Sequence, residues 1–140
     1  VAVDVELATV ETPAGAALAE RAHEVGVWGI ASVHDFEATP PRSVCERLLY
    51  AATQHGDVGK LAVTAQRPSD AARVLSVTAT VAGWGLPVAT MAMGAVGAHT
   101  RAIAPTYGSI LGYAPADPAD PTAPGQLSLA TLASAVSQLH

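Results

Sequence analysis

Asp57-Val58-Gly59-Lys60-Leu61-Ala62-Val63 reads as a strand entering an apolar interior, and it carries the only lysine of the 140-residue chain. An ammonium is normally kept in water, because desolvating it is costly. A lysine forced into an apolar setting gives up its proton more readily and becomes a nucleophile able to form a Schiff base with a carbonyl. The segment alone also admits a lysine whose stem lies along apolar surface and whose head reaches water. Its neighbours along the chain have to separate the two.

Strand and helix signals alternate on both sides of that segment. Upstream, Val1–Leu7 and Val27–His34 read as strands. Between them lies an Ala-rich helix over Pro13–Val25, with Thr12 as N-cap and Pro13 at the first helical position. A second helix spans Pro41–His55, with Gly56 as its stop. Downstream, Ser69 caps a helix running to Ala82, Pro87–Met93 gives a fourth strand, and Gly94–Gly97 leads into a short helical turn. Ser109–Tyr113 reads as a fifth strand, Pro115–Pro124 as a loop and Leu127–Leu139 as a closing helix. Such alternation predicts a parallel sheet with helical crossovers, in a single domain over residues 1–140.

Residues two apart in a strand share a face. Asp4 with Glu6, Ser32 with His34, and Val58 with Lys60 make polar or reactive faces on successive strands, while Val5, Val33 and Leu61 lie opposite. Several of these polar residues fall near C-terminal strand ends, where α/β barrels and open doubly wound sheets carry their sites. Inward polar groups suit a barrel lumen better than a helix-covered face, so a barrel is favoured.

Composition removes several function classes. A net charge of −5 without a basic cluster argues against a nucleic-acid surface. The lone Cys45 rules out an internal disulfide, fits a reducing, cytoplasmic setting, and reads as a buried thiol. Val74–Thr100 contains no Asp, Glu, Lys or Arg, but it is interrupted by Gly83-Trp84-Gly85-Leu86-Pro87. A buried helix followed by a strand explains it better than a membrane span. His23, His55, His99 and His140 show no ligand spacing with Cys45 or one another, so neither a metal nor a cofactor is expected. The chain opens on Val1, already in strand, with no leader, and is expected to begin within a larger domain.

Five motifs then resemble one family in its own order. Ser32-Val33-His34-Asp35-Phe36-Glu37-Ala38-Thr39-Pro40 resembles the S-x-H-D-F-x-x-T-P segment of type I 3-dehydroquinate dehydratases. Gly56-Asp57-Val58-Gly59-Lys60-Leu61-Ala62 is similar to their Schiff-base lysine strand, and Met93-Gly94 through Thr100-Arg101 to their M-G-x-x-G-x-x-S-R loop. Thr122-Ala123-Pro124-Gly125-Gln126 is similar to their S-A-P-G-Q loop, and Asp4-Val5-Glu6-Leu7 to their D-x-E-L strand.

The resemblance implies a lyase of the shikimate pathway that removes water from 3-dehydroquinate to give 3-dehydroshikimate, in a cytoplasmic family that is commonly homodimeric. Lys60 would attack the ketone, and the iminium would act as an electron sink for loss of the neighbouring proton. His34 would take that proton and deliver one to the departing hydroxyl, a task suited to imidazole. Arg101 would hold the substrate carboxylate through its two-pronged donor. Gln126 and Thr122 would contact substrate hydroxyls, and Met93 would pack against the ring. Asp4 and Glu6 are harder to place: one is expected to pair with an arginine elsewhere, since an unpartnered inward carboxylate is expensive.

Thr100 and Thr122 stand where the family usually has serine, Gly112 where it favours threonine, and Gly59 where a bulkier residue would hold the lysine strand more firmly. The motifs cover strands four to eight of the family's barrel, its C-terminal part. A (β/α)8 barrel has eight strands in about 250 residues. The fold class expected is thus α/β, a partial TIM-type barrel of about five parallel strands alternating with helices. The family's other half supplies acidic and arginine residues to the site, including a glutamate that pairs with the histidine, and none of these is assignable from the sequence. An open partial barrel exposes two sheet edges, so the isolated chain is expected to turn over poorly. Two alternatives stay open: another Schiff-base barrel enzyme such as a class I aldolase, and a non-catalytic remnant acting as an assembly module.

Overall fold

The computed structural model describes residues 1–117 and 122–139. Part of the expected Pro115–Pro124 loop, residues 118–121, lies outside the described residues, as does His140. Four strands, β1 (Ala2–Glu6), β2 (Trp28–Asp35), β3 (Val58–Thr64) and β4 (Val88–Met93), form one sheet in the order β1-β2-β3-β4. Every neighbouring pair is parallel. Parallel neighbours need long crossovers, and helices supply them: α1 (Leu7–Val10) with α2 (Pro13–Glu24), then α3 (Arg42–Thr53), then α4 (Pro68–Ala82). Beyond β4 come two short helices, α5 (Gly94–Gly97) and α6 (Thr100–Ile103), a 3-10 turn over Ala104–Tyr107, and finally α7 (Leu129–Leu139).

The register fixes what each face carries. Leu61, Val63, Val88 and Ala92 pack with Cys45 and Leu49 of α3 and with Val74, Val77 and Val81 of α4 in one buried cluster. Each fully buried Val or Leu there contributes about 1.5–3 kcal/mol, so this layer holds β3 and β4 in place. The opposite face bears Ile30, Val58 and Ala89 at one level and Ala62, Met91 and Met93 at the next, both packed against Tyr113. The site lies on that second face.

Local chemistry explains most element ends. The Thr12 side chain accepts from the Gly15 N–H at 3.1 Å, as an N-cap should. At the start of α4, Ser69 is not the cap. The Asp70 carboxylate accepts from the N–H groups of Gln66 (3.1 Å) and Arg67 (3.0 Å). Helix α3 ends at Thr53, ahead of the expected Gly56 stop, with Gln54 as its C-cap. Gly59 does not loosen its strand: a Cβ there would stand 2.8 Å from Thr53 N, so its bareness lets α3 lie directly on β3. Cys45 is buried, as expected; its thiol donates to Pro40 O at 3.3 Å, and burial pushes its pKa up.

The fifth strand does not form. Ser109 makes one isolated parallel bridge to Val88, and Ile110 N–H donates to Val88 O. The next ladder position is lost because Thr90 N–H donates instead to Ser109 Oγ at 3.0 Å. A side-chain oxygen has taken the place of a backbone carbonyl, and Leu111–Tyr113 runs on without pairing. No helix among the described residues is long and apolar enough to cross a membrane.

Candidate active site

Lys60 lies opposite Ser32 on β2 and Ala89 on β4, in the middle of the sheet. Its side chain is almost entirely buried, with the residue only 6% exposed. It reaches across β2 to the edge strand, where its Nζ donates to Asp4 Oδ2 at 2.6 Å. The ammonium also stands 4.3 Å from the centre of the Tyr113 ring, whose hydroxyl donates to the same Asp4 oxygen at 3.4 Å. Burial and then the charge of Asp4 push the Tyr113 phenol well above its usual range, so it remains a donor. Among the described residues neither Asp4 nor Glu6 pairs with an arginine. Asp4 pairs with Lys60, and Glu6 contacts His34.

His34 stands opposite Ala62, one pleat repeat further towards the C-terminal strand ends than Lys60. Its Nδ1 faces Glu6 Oε1. An ionised carboxylate only accepts, so facing one Nδ1 carries the hydrogen, and in the neutral ring Nε2 then keeps the lone pair. Among the described residues the carboxylate that His34 contacts is Glu6, on β1. The ring stacks on Phe36 with centroids 5.7 Å apart and planes 7° from parallel. Asp35 and Thr39 fix the turn that follows. Asp35 Oδ1 accepts from Glu37 N–H and Ala38 N–H, both at 2.9 Å, and the Thr39 hydroxyl donates to Thr64 O at 2.8 Å, tying the turn to β3.

Arg101 of α6 is 4% exposed, and among the described residues no carboxylate pairs with it. One guanidinium nitrogen points to Met91 Sδ at 3.4 Å, another to Pro124 O at 3.4 Å, and Nε has no partner. Burial lowers its pKa from the ordinary arginine value, yet arginine stays charged at any working pH. A desolvated cation without a counter-ion is a ready receptor for an anion. Two loops are docked above it: Gly94 N–H donates to Pro124 O at 3.2 Å. Gly125 has φ +77°, and a Cβ there would lie 2.7 Å from Gly94 O, so both its handedness and its bareness are used. Gln126 Oε1 accepts from Ala123 N–H and from the Thr122 hydroxyl, each at 3.2 Å, which leaves its amide NH2 to face the cavity.

These groups converge on one cavity of about 120 Å³. Its lining includes all six residues singled out from the sequence: Lys60, His34, Arg101, Gln126, Thr122 and Met93. Thr122 reaches it with its hydroxyl already committed to Gln126, so its part is to orient that amide. Phe36, Met91 and Tyr113 also line the cavity and were not singled out. Met91 was findable, since it sits two residues before Met93 and shares its face. Tyr113 was not, because the segment that leads to it makes a single bridge at Ser109 and no continuous ladder. Among the described residues, no group of three His, Cys, Asp or Glu side chains is placed to hold a metal ion. The arrangement offers a buried amine, an imidazole backed by a carboxylate and a guanidinium that no carboxylate among the described residues pairs with. Those three suit a carbonyl compound that bears a carboxylate.

Comparison with known proteins bears on that chemistry. The sequence model of the family described as Type I 3-dehydroquinase matches residues 1–140. A 3-dehydroquinate dehydratase of Haloquadratum walsbyi is 51% identical over 139 residues, covering 99% of this chain and 57% of that protein. One from Haloarcula marismortui is 50% identical over 142 residues, covering 99% of this chain and 62% of its own length. The chain thus spans little more than half the length of these relatives. Among solved structures, the 3-dehydroquinate dehydratase of Geobacillus kaustophilus superposes with a TM-score of 0.88 at 31% identity, over 99% of this chain and 53% of that one. The type I enzyme of Clostridium difficile, solved with covalently modified comenic acid, gives 0.86 at 30% identity over 99% and 54%. These shares fix how much of a relative is matched; the expected placement in strands four to eight rests on motif order.

Proposed function

The chain belongs to the type I 3-dehydroquinase family, and from that premise we propose that it carries the imine-forming centre of a 3-dehydroquinate dehydratase. The observation that supports this reading best is the solitary buried amine of Lys60, in one cavity with the carboxylate-backed His34 and the unpaired Arg101.

Arg101 binds the substrate carboxylate, an exchange of its missing counter-ion for a ligand. The Gln126 amide donates to a ring hydroxyl, and the apolar surface of Met91 and Met93 accepts the ring. Lys60 Nζ gives up a proton and its lone pair bonds to the ketone carbon as the C=O π bond opens; the oxygen, taking up the two protons that the nitrogen loses, then leaves as water and an iminium remains. The iminium draws electrons from the adjacent C–H bond, His34 Nε2 takes that proton, and an enamine results. The enamine electrons then expel the hydroxyl, which leaves as water with the proton from His34. Hydrolysis of the product iminium returns the amine. Glu6 holds the ring of His34 so that the lone pair faces the substrate, and it balances the imidazolium while it lasts. The covalently modified comenic acid held by the Clostridium difficile relative fits a site built to form covalent bonds.

The test is turnover. With 3-dehydroquinate, the intact protein should generate the ultraviolet absorbance of a conjugated enone, and Lys60→Ala should abolish it. Absorbance from the Lys60→Ala variant at the parent rate would overturn the reading. An aldol substrate that turns over in place of 3-dehydroquinate would move the chain to the aldolase class.

A further inference from the structure

Asp4 and Tyr113 have no part in the steps above, although both touch Lys60. Lys60 Nζ lies 2.6 Å from Asp4 Oδ2, the Tyr113 hydroxyl is aimed at that same oxygen from 3.4 Å, and the Tyr113 ring covers the nitrogen at 4.3 Å. The other charged groups nearby are engaged elsewhere. Glu6 is taken by His34, and Arg101 is itself a cation. Asp4 is thus the one carboxylate in reach of Nζ among the described residues.

We propose that Asp4, steadied by the Tyr113 hydroxyl, is the counter-ion of the Lys60 nitrogen in both of its charged states, ammonium and iminium. The inference rests on Lys60 being the imine-forming residue. Its logic is a charge balance: an ammonium and a ketone give an iminium and one water, so the nitrogen is positive both before and after imine formation and neutral only while its lone pair attacks. A single fixed carboxylate therefore serves both states without moving, which is the preorganisation that electrostatic catalysis requires. After the imine has formed, charge leaves the nitrogen when the carbon proton passes to His34, and returns when hydroxide departs as water. By holding the iminium protonated, Asp4 keeps the electron sink effective for that proton transfer. Tyr113 is a positioning residue: it acts on the nitrogen through Asp4, and its phenol is held in the donor form by burial and by Asp4 itself.

The variants Asp4→Asn and Tyr113→Phe of the intact protein test this by comparing two readouts. One is the end-point fraction of chains carrying a borohydride-reduced adduct of 3-dehydroquinate on the Lys60 peptide; the other is kcat. Asp4→Asn removes the counter-ion from ammonium and iminium alike, so the labelled fraction should persist, while kcat, which depends on the iminium as an electron sink, drops at least tenfold. Tyr113→Phe keeps the ring and loses only the hydroxyl, and should show the same split with a drop of about fivefold, the worth of one hydrogen bond. A structural role would lower label and turnover together, and that outcome, like unchanged kcat, overturns the inference. If Asp4→Asn does not fold by circular dichroism, Tyr113→Phe decides by the same criterion. Absence of label on Lys60 in the parent protein would instead overturn the imine reading itself.

Discussion

Replacing Arg101 by lysine keeps a charge but discards the planar fork that would meet a carboxylate. With one or two charge-assisted hydrogen bonds gone, substrate binding should weaken by about 1.5–3 kcal/mol, seen as a rise in KM of roughly ten- to a hundredfold. An unchanged KM would remove Arg101 from the substrate site. His34→Ala should behave differently: the adduct on Lys60 still forms, but turnover falls by about 10²–10⁴-fold, the usual worth of a general acid–base group. Normal turnover by that variant would contradict the proton-transfer role. The residue types and motif spacing made Lys60, His34, Arg101 and Gln126 legible in the sequence. Their carboxylate partners were not, because they depend on strand register. Asp4 and Lys60 are 56 positions apart, Glu6 and His34 28, and only the parallel pairing of β1 with β2 and β2 with β3 brings them together. Tyr113 lay further out of reach, since no periodic element carries it to the amine.

Element by element, the strands and long helices follow the hydrophobic pattern, and the ends depart from it wherever a side chain competes with the backbone. Ser109 Oγ takes the N–H of Thr90 and stops a fifth strand that alternation alone predicts. Asp70 caps α4 in place of Ser69, and its energetics are testable. Burial acts to raise its pKa, but the N–H groups of Gln66 and Arg67, with the Arg73 guanidinium, outweigh that and hold it below the ordinary value of 3.8. A depressed folded-state value means that the contribution is full above 3.8 and fades as pH falls through the lower folded value. Asp70→Asn should therefore lower Tm at neutral pH and lose that component of acid sensitivity; a Tm unchanged at neutral pH would contradict the assignment. The docking of the Pro124–Gln126 loop on α5 makes a second prediction. Gly125→Ala forces a Cβ onto left-handed backbone at a local cost of about 1–2 kcal/mol. Because Gln126 hangs on that turn, KM should rise while far-UV circular dichroism stays as it was. A KM equal to that of the parent would show that the loop does not position the amide.

At the scale of the whole molecule, the sheet ends on two open sides. Among the described residues β1 has no partner beyond β2, and β4 has only the single bridge from Ser109 on its outer side. Unpaired edges of this kind invite association with other chains, and the chain covers 57% of its Haloquadratum walsbyi relative. The isolated 140-residue chain is accordingly expected to turn over far more slowly than full-length relatives and to self-associate on concentration; steady turnover at full-length rates by a monomer would contradict this. The partial barrel was legible from alternation and motif order, whereas the missing fifth strand and the exact pairing of charges were not. What the account most depends on is a covalent bond at one nitrogen. Incubation with 3-dehydroquinate, reduction by borohydride and mass mapping of the peptides should place the adduct on the segment containing Lys60. A folded protein that turns substrate over yet carries no adduct there would contradict it.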